Sequence, residues 1–419
     1  MRKTVSGIRG IAGTEIGPAE VMGFCGSFSR LAGGRCVLGR DTRPSGAALA
    51  DAAAAALMAG GTDVLDMGVA PTPAVFRESR THGAGVIVTS SHNPLEWNGL
   101  KFVIGGRGLG GEELREMLGV DGAGDGAGRL EKLKTRYAEE AAAAAGRARG
   151  RPSVAIDAGG GAAAGYAHDI MRGIGCDVRD VPSDRGPDPT ASGLRELAGA
   201  GGDIGMAFDL DGDRLVLVIG GRRLSPDATL VLGVAAAVRS GCRDFVFSAD
   251  TSQAAREYVE GAGGRAYMAG VGEANVAAEI SRRGADAGGE GSSGGFILPS
   301  FNWCRDGMLA GAMIAAMHGT PEFDEAAGCA ARYTQVRRSV RAPAAMHGRI
   351  LEGMEAAFRK EYGEVGTEHG LRASDGDGWV LVRGSNTEDV IRVSAEARDA
   401  ARCARMAGGA EGMVRDISA

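Results

Sequence analysis

The chain has 419 residues, of which 44% are hydrophobic and 24% are charged. This balance is typical of a globular protein with buried cores and excludes a wholly disordered chain. With 47 Lys and Arg against 53 Asp and Glu, its net charge of −6 lacks the basic footprint of a general nucleic-acid-binding protein.

The seven cysteines are scattered and form no Cys-x-x-Cys pair. This pattern argues against a zinc ribbon and a disulfide framework, and it favours a reducing compartment. The N-terminus, MRKTVSGIRG, has no apolar segment of the kind found in secretory signals. No apolar run reaches the roughly 18–20 residues that span a bilayer. We therefore expect a cytoplasmic protein with no membrane partner.

Short apolar runs alternate along the chain with Ala- and Leu-rich stretches, which predicts an α/β fold with mostly parallel sheets. Three segments begin alike, each with a buried strand, an Asp-containing loop of small residues and a helix. They are Arg35–Ser45, Ser153–Gly161 and Asp244–Ser252. We interpret them as the starts of three related α/β domains.

Shifts in composition predict the domain boundaries. Glu139–Pro152 is a helix end followed by a Gly/Arg/Pro hinge, Val336–His347 is a predicted linker, and Arg239–Arg243 marks a weaker boundary. After the linker, the predicted strands Trp379–Val382 and Val390–Val393 flank a polar loop, and a helix follows. The predicted domains are 1–148, 149–240, 241–338 and 339–419, the last a smaller α+β domain.

The first loop with possible chemistry is Val86–Pro94, VIVTSSHNP, a β-branched run that ends in Thr, two serines, His and Asn. Ligands of open α/β sheets bind beyond the carboxyl ends of the strands, so a hydroxyl here is a candidate nucleophile. No Gly-x-Ser-x-Gly elbow surrounds it. From this segment alone, a Ser/Asn-rich turn before a proline is the favoured interpretation.

The second loop carries Asp209, Asp211 and Asp213, which alternate after an apolar strand in AFDLDGDRLVLV. Carboxylates this close repel one another unless a cation lies between them, and hard oxygen ligands suit Mg²⁺. The EF-hand pattern fails because Arg214 stands where Gly is needed. The haloacid-dehalogenase pattern Asp-x-Asp-Gly-Thr is a closer rival, with Asp209 as nucleophile. We favour a metal site over that rival and over a solvated acidic hairpin.

The third loop, Gly288–Pro299, reads GGEGSSGGFILP and places Glu290 among Gly and Ser before an apolar strand. A flexible turn and a loop that hydrogen-bonds two hydroxyls of a sugar ring explain this pattern equally well. Gly270–Asn275 (GVGEAN) and Arg305–Gly307 (RDG) are candidates to line the same pocket.

The fourth loop, Arg383–Arg392, reads RGSNTEDVIR and crowds Arg, Ser, Asn and Thr between two predicted strands. Arginine offers a planar fork, and hydroxyl and backbone N–H groups complete a cradle for an oxyanion. The alternative is an Asn-centred turn. We favour phosphate binding.

Several basic residues outside these four loops are further candidate site residues. Arg9 lies between glycines in SGIRG, and Arg40 and Arg43 flank Asp41 in GRDTRPS. Each arginine alone is more often a surface or salt-bridge residue. Lys101, at the end of NGLK just after the serine loop, provides an ammonium that could hold a phosphate or transfer a proton.

Taken in chain order, these motifs resemble the α-D-phosphohexomutase family, the phosphoglucomutase/phosphomannomutase group. The matching pieces, SGIRG, GRDTRPS, TSSHNP with NGLK, DLDGDR, GGEGSSGG, RDG and RGSNTE, span Ser6 to Arg392. The resemblance implies four domains around a central cleft, three related α/β domains with mixed sheets plus the smaller α+β domain. It also implies an isomerase that interconverts hexose 1-phosphate and hexose 6-phosphate of glucose or mannose through a phosphoserine and a hexose 1,6-bisphosphate.

The resemblance further implies roles for individual residues. Ser91, which precedes His-Asn-Pro, would carry the phosphoryl group, and Arg9 and Lys101 would serve acid–base and phosphate-positioning work. One Mg²⁺ would be held by Ser91, Asp209, Asp211 and Asp213. Substrate binding would fall to Arg214, Gly272, Glu273, Glu290, Ser292, Arg383, Ser385, Asn386 and Thr387, with His92, Arg40 and Arg305 in support.

Some positions depart from the family pattern. Ser90 replaces the usual Ala, so that two adjacent serines compete for the phosphoryl group, and Ser292 competes with Ser293 in the sugar loop. Gly384 and Asp389 occupy the positions of two prolines in the phosphate loop. The Gly-rich sugar loop does not discriminate between glucose, mannose and glucosamine phosphates.

The sequence is therefore compatible with three functions. The first is a Mg²⁺-dependent phosphohexomutase, with phosphoglucosamine mutase as the alternative within the family. The second is a dehalogenase-type phosphatase, and the third is a non-catalytic protein that binds sugar phosphates. The expected partner is a small phosphosugar, with hexose 1,6-bisphosphate as activator or intermediate, no nucleic acid, and a monomeric or homodimeric state.

Overall fold

A computed structural model describes residues 1–4, 7–120, 126–385 and 388–418. The described residues form four β-sheets, and each sheet is built from one continuous stretch of the chain. Three sheets are mixed and are flanked by helices. The fourth is antiparallel, with one helix between its first two strands in sequence and another after its last strand. This architecture confirms the predicted α/β fold with a C-terminal α+β unit.

The first sheet has the strand order β1-β2-β6-β5-β3-β4-β8, with β7 added beside β6. Its parallel central strands are runs of buried residues, such as AGVIV in β5, as expected where helices cover both faces. The elements are β1 (Arg2–Thr4), β2 (Gly7–Ile11), α1 (Pro18–Ser29), β3 (Arg35–Arg40), α2 (Gly46–Ala59), β4 (Asp63–Val69), α3 (Thr72–His82), β5 (Ala84–Val88), β6 (Trp97–Ile104), β7 (Arg107–Gly108), α4 (Gly111–Leu118), β8 (Leu130–Lys132) and α5 (Tyr137–Ala145).

The second sheet has the order β10-β9-β11-β12-β13. The hairpin of β11 and β12 is antiparallel, and its connection carries the three aspartates of the second loop. The elements are β9 (Ser153–Asp157), α6 (Ala163–Gly173), β10 (Asp177–Asp180), α7 (Arg195–Gly199), β11 (Ile204–Phe208), β12 (Leu215–Ile219), β13 (Arg222–Arg223) and α8 (Pro226–Arg239).

The third sheet has the order β15-β14-β16-β17-β18. Glu290 is the last residue of β16, and a single 3₁₀ turn at Gly291–Ser293 follows it. The elements are β14 (Asp244–Ser248), α9 (Gln253–Gly261), β15 (Arg265–Ala269), α10 (Glu273–Arg283), β16 (Ala287–Glu290), β17 (Gly295–Leu298), β18 (Asn302–Arg305), α11 (Gly307–Met317) and α12 (Pro321–Ala331).

The fourth sheet has the order β19-β23-β22-β21-β20. Its first strand, which ends at Arg341, occupies the first half of the predicted linker Val336–His347, so the linker prediction is wrong for that half. Val336 and Val340 pack on the core of this sheet, and β19 pairs along its whole length with β23. The elements are β19 (Thr334–Arg341), α13 (His347–Glu361), β20 (Glu364–Gly366), β21 (Leu371–Ser374), β22 (Gly378–Gly384), β23 (Val390–Ala397) and α14 (Ala400–Ser418).

The three similar beginnings fold alike, as strand, loop and helix: β3 with α2, β9 with α6, and β14 with α9. A large buried cluster joins the second and third sheets and takes in Tyr137 and Ala141 of α5. The first and fourth sheets have cores of their own. Within the described ranges, no helix is long and apolar enough to cross a membrane. The exact domain limits remain a prediction, and the one at residue 338 falls inside β19.

Candidate active site

Ser91 lies just beyond the carboxyl end of β5, fully buried, and it faces the loop of the second sheet. Its Oγ donates to Oδ2 of Asp209 over 2.9 Å. Its backbone φ of 51° is in the left-handed region, which costs a non-glycine residue about 1–3 kcal/mol and is concentrated at functional sites. Thr89 Oγ1 accepts from the Ser91 backbone N–H at 2.8 Å. Ser90 is equally buried, but its Oγ has no hydrogen-bond partner.

Arg43 holds the serine loop in place. Its guanidinium donates to the carbonyl oxygens of Ser91 (2.6 Å), Asn93 (2.6 Å), Pro94 and Trp97 (2.8 Å). Its Nε pairs with the buried carboxylate of Asp41 at 3.1 Å. The sequence marked Arg43 as a neighbour of Asp41 but selected Arg40 as the supporting residue. Arg40 donates to the Asp41 carbonyl oxygen at 3.1 Å and lies outside the residues that line the cleft.

Asp209, Asp211 and Asp213 are completely buried, and they offer carboxylate oxygens that all lie within 4.8 Å of one another. Burial raises the pKa of Asp209 well above its ordinary value, and the two neighbouring carboxylates add to this effect. The turn between the second and third aspartates needs glycine, because Gly212 has a φ of +72° and is hemmed in by Pro71, Ala163 and Met308. The fold therefore forces three acidic groups together.

Two cations partly balance this charge. Lys101 Nζ, from β6, donates to Oδ2 of Asp211 (2.8 Å) and Oδ2 of Asp213 (2.9 Å). Arg305 Nη2 donates to the same oxygen of Asp213 at 2.8 Å. Burial alone would lower the pKa of Lys101, but the two carboxylates outweigh burial and raise that pKa above its ordinary value. Burial opposes ionisation of Asp213, yet Arg305 and Lys101 hold its pKa well below the usual range.

The donor set fits a divalent cation. Oδ1 of Asp211 and Oδ1 of Asp213 are buried and have no hydrogen-bond partner, which is costly unless another ligand satisfies them. Asp209 and the Ser91 hydroxyl provide further oxygen atoms at the same place. All of these are hard ligands of the kind that Mg²⁺ prefers.

Arg305 links the aspartate loop to the predicted sugar loop. Its Nη1 donates to Glu290 Oε2 at 2.9 Å, and its backbone N–H donates to Glu273 Oε1 at 3.0 Å. The other oxygen of Glu290 accepts from the Gly272 N–H at 2.8 Å, and burial raises the pKa of Glu290. The RDG, GVGEAN and GGEGSSGG motifs thus meet in one hydrogen-bond network.

The two serines of the sugar loop differ in position. Ser293 is buried, donates to the Glu290 carbonyl oxygen at 3.3 Å and accepts from Arg305 at 3.4 Å. Ser292 is half-buried, and both serines line the cleft. Because the hydroxyl of Ser293 is engaged within the protein, Ser292 is the better placed of the two to contact a ligand.

The predicted phosphate loop forms the opposite wall of the cleft. Arg383 and Ser385 line it, and burial lowers the pKa of Arg383. Arg392 lies directly opposite Arg383 in the β22–β23 ladder and also lines the cleft, where it pairs with Glu388. Facing cations on a sheet destabilise it unless an anion lies between them. The predicted residues Asn386 and Thr387, like Ser6 of the SGIRG motif, lie outside the described residues.

The remaining predicted residues lie close to the serine loop. Arg9 donates to Oδ1 of Asn93 at 3.0 Å, and the backbone N–H of Arg214 donates to Oδ1 of Asp209 at 3.1 Å. Nε2 of His92 lies 3.4 Å from the guanidinium of Arg214. Burial and the neighbouring Arg214 lower the pKa of His92 well below its ordinary value, so the imidazole is neutral at pH 7.

The walls enclose a cleft of about 530 Å³, within the range of roughly 300–1,000 Å³ that small-molecule sites occupy. The cleft is lined by residues from all four sheet units, a sheet unit being one sheet together with its flanking helices. Many of these lining residues are arginines. Sequence reasoning missed several of its lining residues, among them Arg2, Arg337 and Arg338. They carry no motif signal, because each is brought to the cleft only by the packing of the sheets.

Comparisons with known proteins agree with this geometry. The family models "Phosphoglucomutase/phosphomannomutase, alpha/beta/alpha domain I", "alpha/beta/alpha domain III" and "C-terminal domain" match residues 2–117, 225–331 and 336–409. The chain belongs to the phosphoglucomutase/phosphomannomutase family. Members of this family are isomerases, so the prediction of a phosphohexomutase enzyme is confirmed.

Individual phosphohexomutases resemble the chain over almost its full length. A "Probable phosphoglucosamine mutase" of Thermococcus kodakarensis is 30% identical, with 98% of this chain and 97% of that protein covered. A "Phosphoglucomutase/phosphomannomutase" of the same organism is 31% identical, with 94% and 93% covered. The crystal structure of a phosphoglucomutase/phosphomannomutase family protein from Burkholderia thailandensis superposes with a TM-score of 0.83 at 25% identity, covering 99% of this chain and 96% of the other.

Proposed function

We propose that this phosphohexomutase interconverts hexose 1-phosphate and hexose 6-phosphate through a phosphorylated Ser91 and a hexose 1,6-bisphosphate intermediate. The observation that carries the proposal is the 2.9 Å hydrogen bond from Ser91 Oγ to Asp209, inside a group of three carboxylates. Phosphoryl transfer depends mainly on positioning and charge neutralisation. This arrangement positions the serine hydroxyl beside a set of oxygen ligands for a cation, and that cation would provide the neutralisation.

The proposed metal site consists of Ser91, Asp209, Asp211 and Asp213, with the unpartnered oxygens of the last two as ligands. A bound Mg²⁺ would supply positive charge that offsets the negative charge of the phosphoryl group. Arg43 keeps the serine loop in its strained turn.

In the first transfer, the bond between phosphorus and Ser91 Oγ breaks and a bond forms to the free hydroxyl oxygen of the hexose phosphate. Arg9 or Lys101, the two residues proposed for acid–base work, would donate a proton to the Ser91 oxygen as the phosphoryl group leaves and take up the proton of the hexose hydroxyl in exchange, so that its charge is the same before and after the step. The bisphosphate then rotates in the cleft so that its two phosphates exchange places, and its other phosphoryl group passes to Ser91. The distal phosphate needs a cradle in both orientations, which Arg383 and Ser385 would provide.

The substrate has two candidates. Glucose and mannose phosphates follow from the family resemblance, and the name "Phosphoglucomutase/phosphomannomutase" of one relative supports them. Glucosamine phosphate is the second candidate, and several relatives carry the name "Probable phosphoglucosamine mutase". A cytoplasmic location and the monomeric or dimeric state remain predictions.

Coupled assays with glucose 1-phosphate, mannose 1-phosphate and glucosamine 1-phosphate test the proposal and rank the substrates. We expect 6-phosphate product in the presence of Mg²⁺ and hexose 1,6-bisphosphate, severe loss in Ser91→Ala and Asp209→Asn, and near-normal activity in the matched control Ser90→Ala. Retained phosphatase activity in Ser91→Ala with loss in Asp209→Asn would instead identify a dehalogenase-type enzyme. Binding of all three sugars without turnover would indicate a non-catalytic protein.

A further inference from the structure

The first turn of α3 is hydrogen-bonded to the aspartate loop of the second sheet. Thr72 Oγ1 donates to Oδ2 of Asp211 at 2.6 Å, and the Thr72 backbone N–H donates to the Asp211 carbonyl oxygen at 2.8 Å. Thr72 is completely buried. One residue of the first sheet unit therefore holds both the side chain and the backbone of an aspartate in the second.

The two oxygens of Asp211 have different surroundings. Oδ2 accepts from Thr72 and from Lys101 Nζ, whereas Oδ1 is buried without a partner. A carboxylate is planar, so fixing Oδ2 and the backbone also fixes the direction of Oδ1. We infer that Thr72 is a positioning residue that directs Oδ1 of Asp211 at the divalent cation. This inference rests on the metal site in the proposed function.

Thr72 suits this task better than Lys101 does. Its β-branched side chain is stiff at χ1, and it lies between Pro71 and Pro73, whose rings restrict the backbone. Pro71 also packs against the aspartate loop, because a Cβ built on Gly212 would lie 3.2 Å from Pro71 Cβ. The ammonium of Lys101 is shared between two carboxylates and ends a flexible side chain.

The contact also crosses between the two sheet units that must meet for phosphoryl transfer. Ser91 belongs to the first unit and the aspartates to the second, and Thr72 bonds to the middle aspartate. Hydrogen bonds to metal-binding side chains typically change metal affinity about 10–100-fold when they are removed. Thr72 therefore ties the first turn of α3, in the first unit, to the metal site of the second.

Binding of Mn²⁺ to the full-length protein, measured without substrate by the electron paramagnetic resonance signal of free Mn²⁺, tests the inference. Thr72→Val keeps the shape but removes the donor, and we expect its dissociation constant to rise about tenfold or more. Thr72→Ser restores the hydroxyl and should stay within about threefold of the parent. The matched control is Thr62→Val, whose buried hydroxyl donates to the Ser29 carbonyl oxygen at 3.3 Å, and it should leave Mn²⁺ binding unchanged.

Unchanged Mn²⁺ affinity in Thr72→Val, or a loss in Thr72→Ser as large as that in Thr72→Val, would overturn the inference. If Thr72→Val fails to fold, Thr72→Ala removes the same donor without a β-branch, and the same tenfold loss is expected. Normal mutase activity of the parent alongside normal Mn²⁺ binding by the valine variant would remove the role of Thr72 and leave the proposed function intact. Absence of Mn²⁺ binding in the parent would overturn both the metal site and this inference.

Discussion

The guanidinium of Arg43 donates to the carbonyl oxygen of Ser91 over 2.6 Å, and both residues are buried. Ser91 has a left-handed backbone, which persists only where the surroundings enforce it. Arg43 stabilises this backbone conformation, because its planar guanidinium donates hydrogen bonds to several carbonyl oxygens of the loop. The position of the candidate nucleophile thus depends on a residue far from it in sequence.

Replacing Arg43 should therefore damage both stability and catalysis. Arg43→Met leaves the buried carboxylate of Asp41 without its cation, a change that costs about 3–5 kcal/mol. We expect the melting temperature of the transition that includes the first sheet to fall by about 6 °C or more, with loss of mutase activity. Calorimetry and the coupled assay measure both. Arg40→Met is the control, and an equal effect in both variants would contradict the role given to Arg43.

The two adjacent serines should differ in phosphorylation. Peptide mass spectrometry over residues 83–101 should find phosphate on Ser91, with the signal lost in Ser91→Ala and kept in Ser90→Ala. The Ser90 hydroxyl is buried without a partner, so its removal breaks no hydrogen bond and should be close to neutral for stability. Phosphate on Ser90 would reverse the assignment.

A divalent cation should stabilise the fold. The three aspartates repel one another, and a ligand that binds only the folded state at 100 times its dissociation constant adds about 2.7 kcal/mol. We expect Mg²⁺ to raise the melting temperature of chelator-treated protein and to restore its activity. In Asp213→Asn the rise should be strongly reduced. If Mg²⁺ leaves the melting temperature of the parent protein unchanged, the proposed metal site is contradicted.

Arg383 should contribute to substrate affinity through its planar fork. Arg383→Lys keeps the charge but cannot make paired hydrogen bonds to a phosphate. We expect the KM for the hexose phosphate to rise about tenfold, equivalent to about 1.4 kcal/mol, with a smaller change in kcat. Steady-state kinetics measure this split. An unchanged KM would exclude Arg383 from the phosphate cradle.

We expect Glu396 to make the stability of the junction between the third and fourth sheets depend on pH. Its Oε1 accepts from the Trp379 indole N–H (2.9 Å) and the Gln253 backbone N–H (2.8 Å), while Oε2 is buried without a partner. Burial raises the pKa of Glu396 to about 7, above the value of about 4.3 for an unfolded chain. The stabilising contribution of the protonated form is therefore complete below about pH 4.3 and is lost as the pH rises through 7.

Glu396→Gln should remove this dependence. Between pH 4.5 and 8 the parent should lose about 3 kcal/mol of unfolding free energy relative to the variant. Thermal melts of both proteins across that range provide the measurement, with Glu352→Gln on the exposed side of α13 as the control. Parallel pH profiles for parent and variant would show that Glu396 does not titrate in this range.

The local units of this protein can be predicted from its sequence. A strand, a small Asp-containing loop and a helix recur three times because their apolar runs and helix-forming stretches are local properties of the chain. The family and the four chemical loops also followed from short motifs. The same local reasoning failed at Val336–His347, where a charged, proline-containing segment suggested a linker, while Val336 and Val340 pack on a core formed by residues distant in sequence.

How the loops combine into one site depends on long-range packing. The bond from Thr72 to Asp211 and the link that Arg305 makes between Asp213 and Glu290 depend on contacts between separate sheets. The hold of Arg43, rather than Arg40, on the serine loop depends on a contact between two loops of the first sheet that are distant in sequence. Such contacts leave no periodic or motif signal, since burial and hydrogen bonding across the chain select them after the strands have paired. Local sequence motifs therefore identify the residues of the candidate active site, whereas long-range packing determines how those residues are arranged.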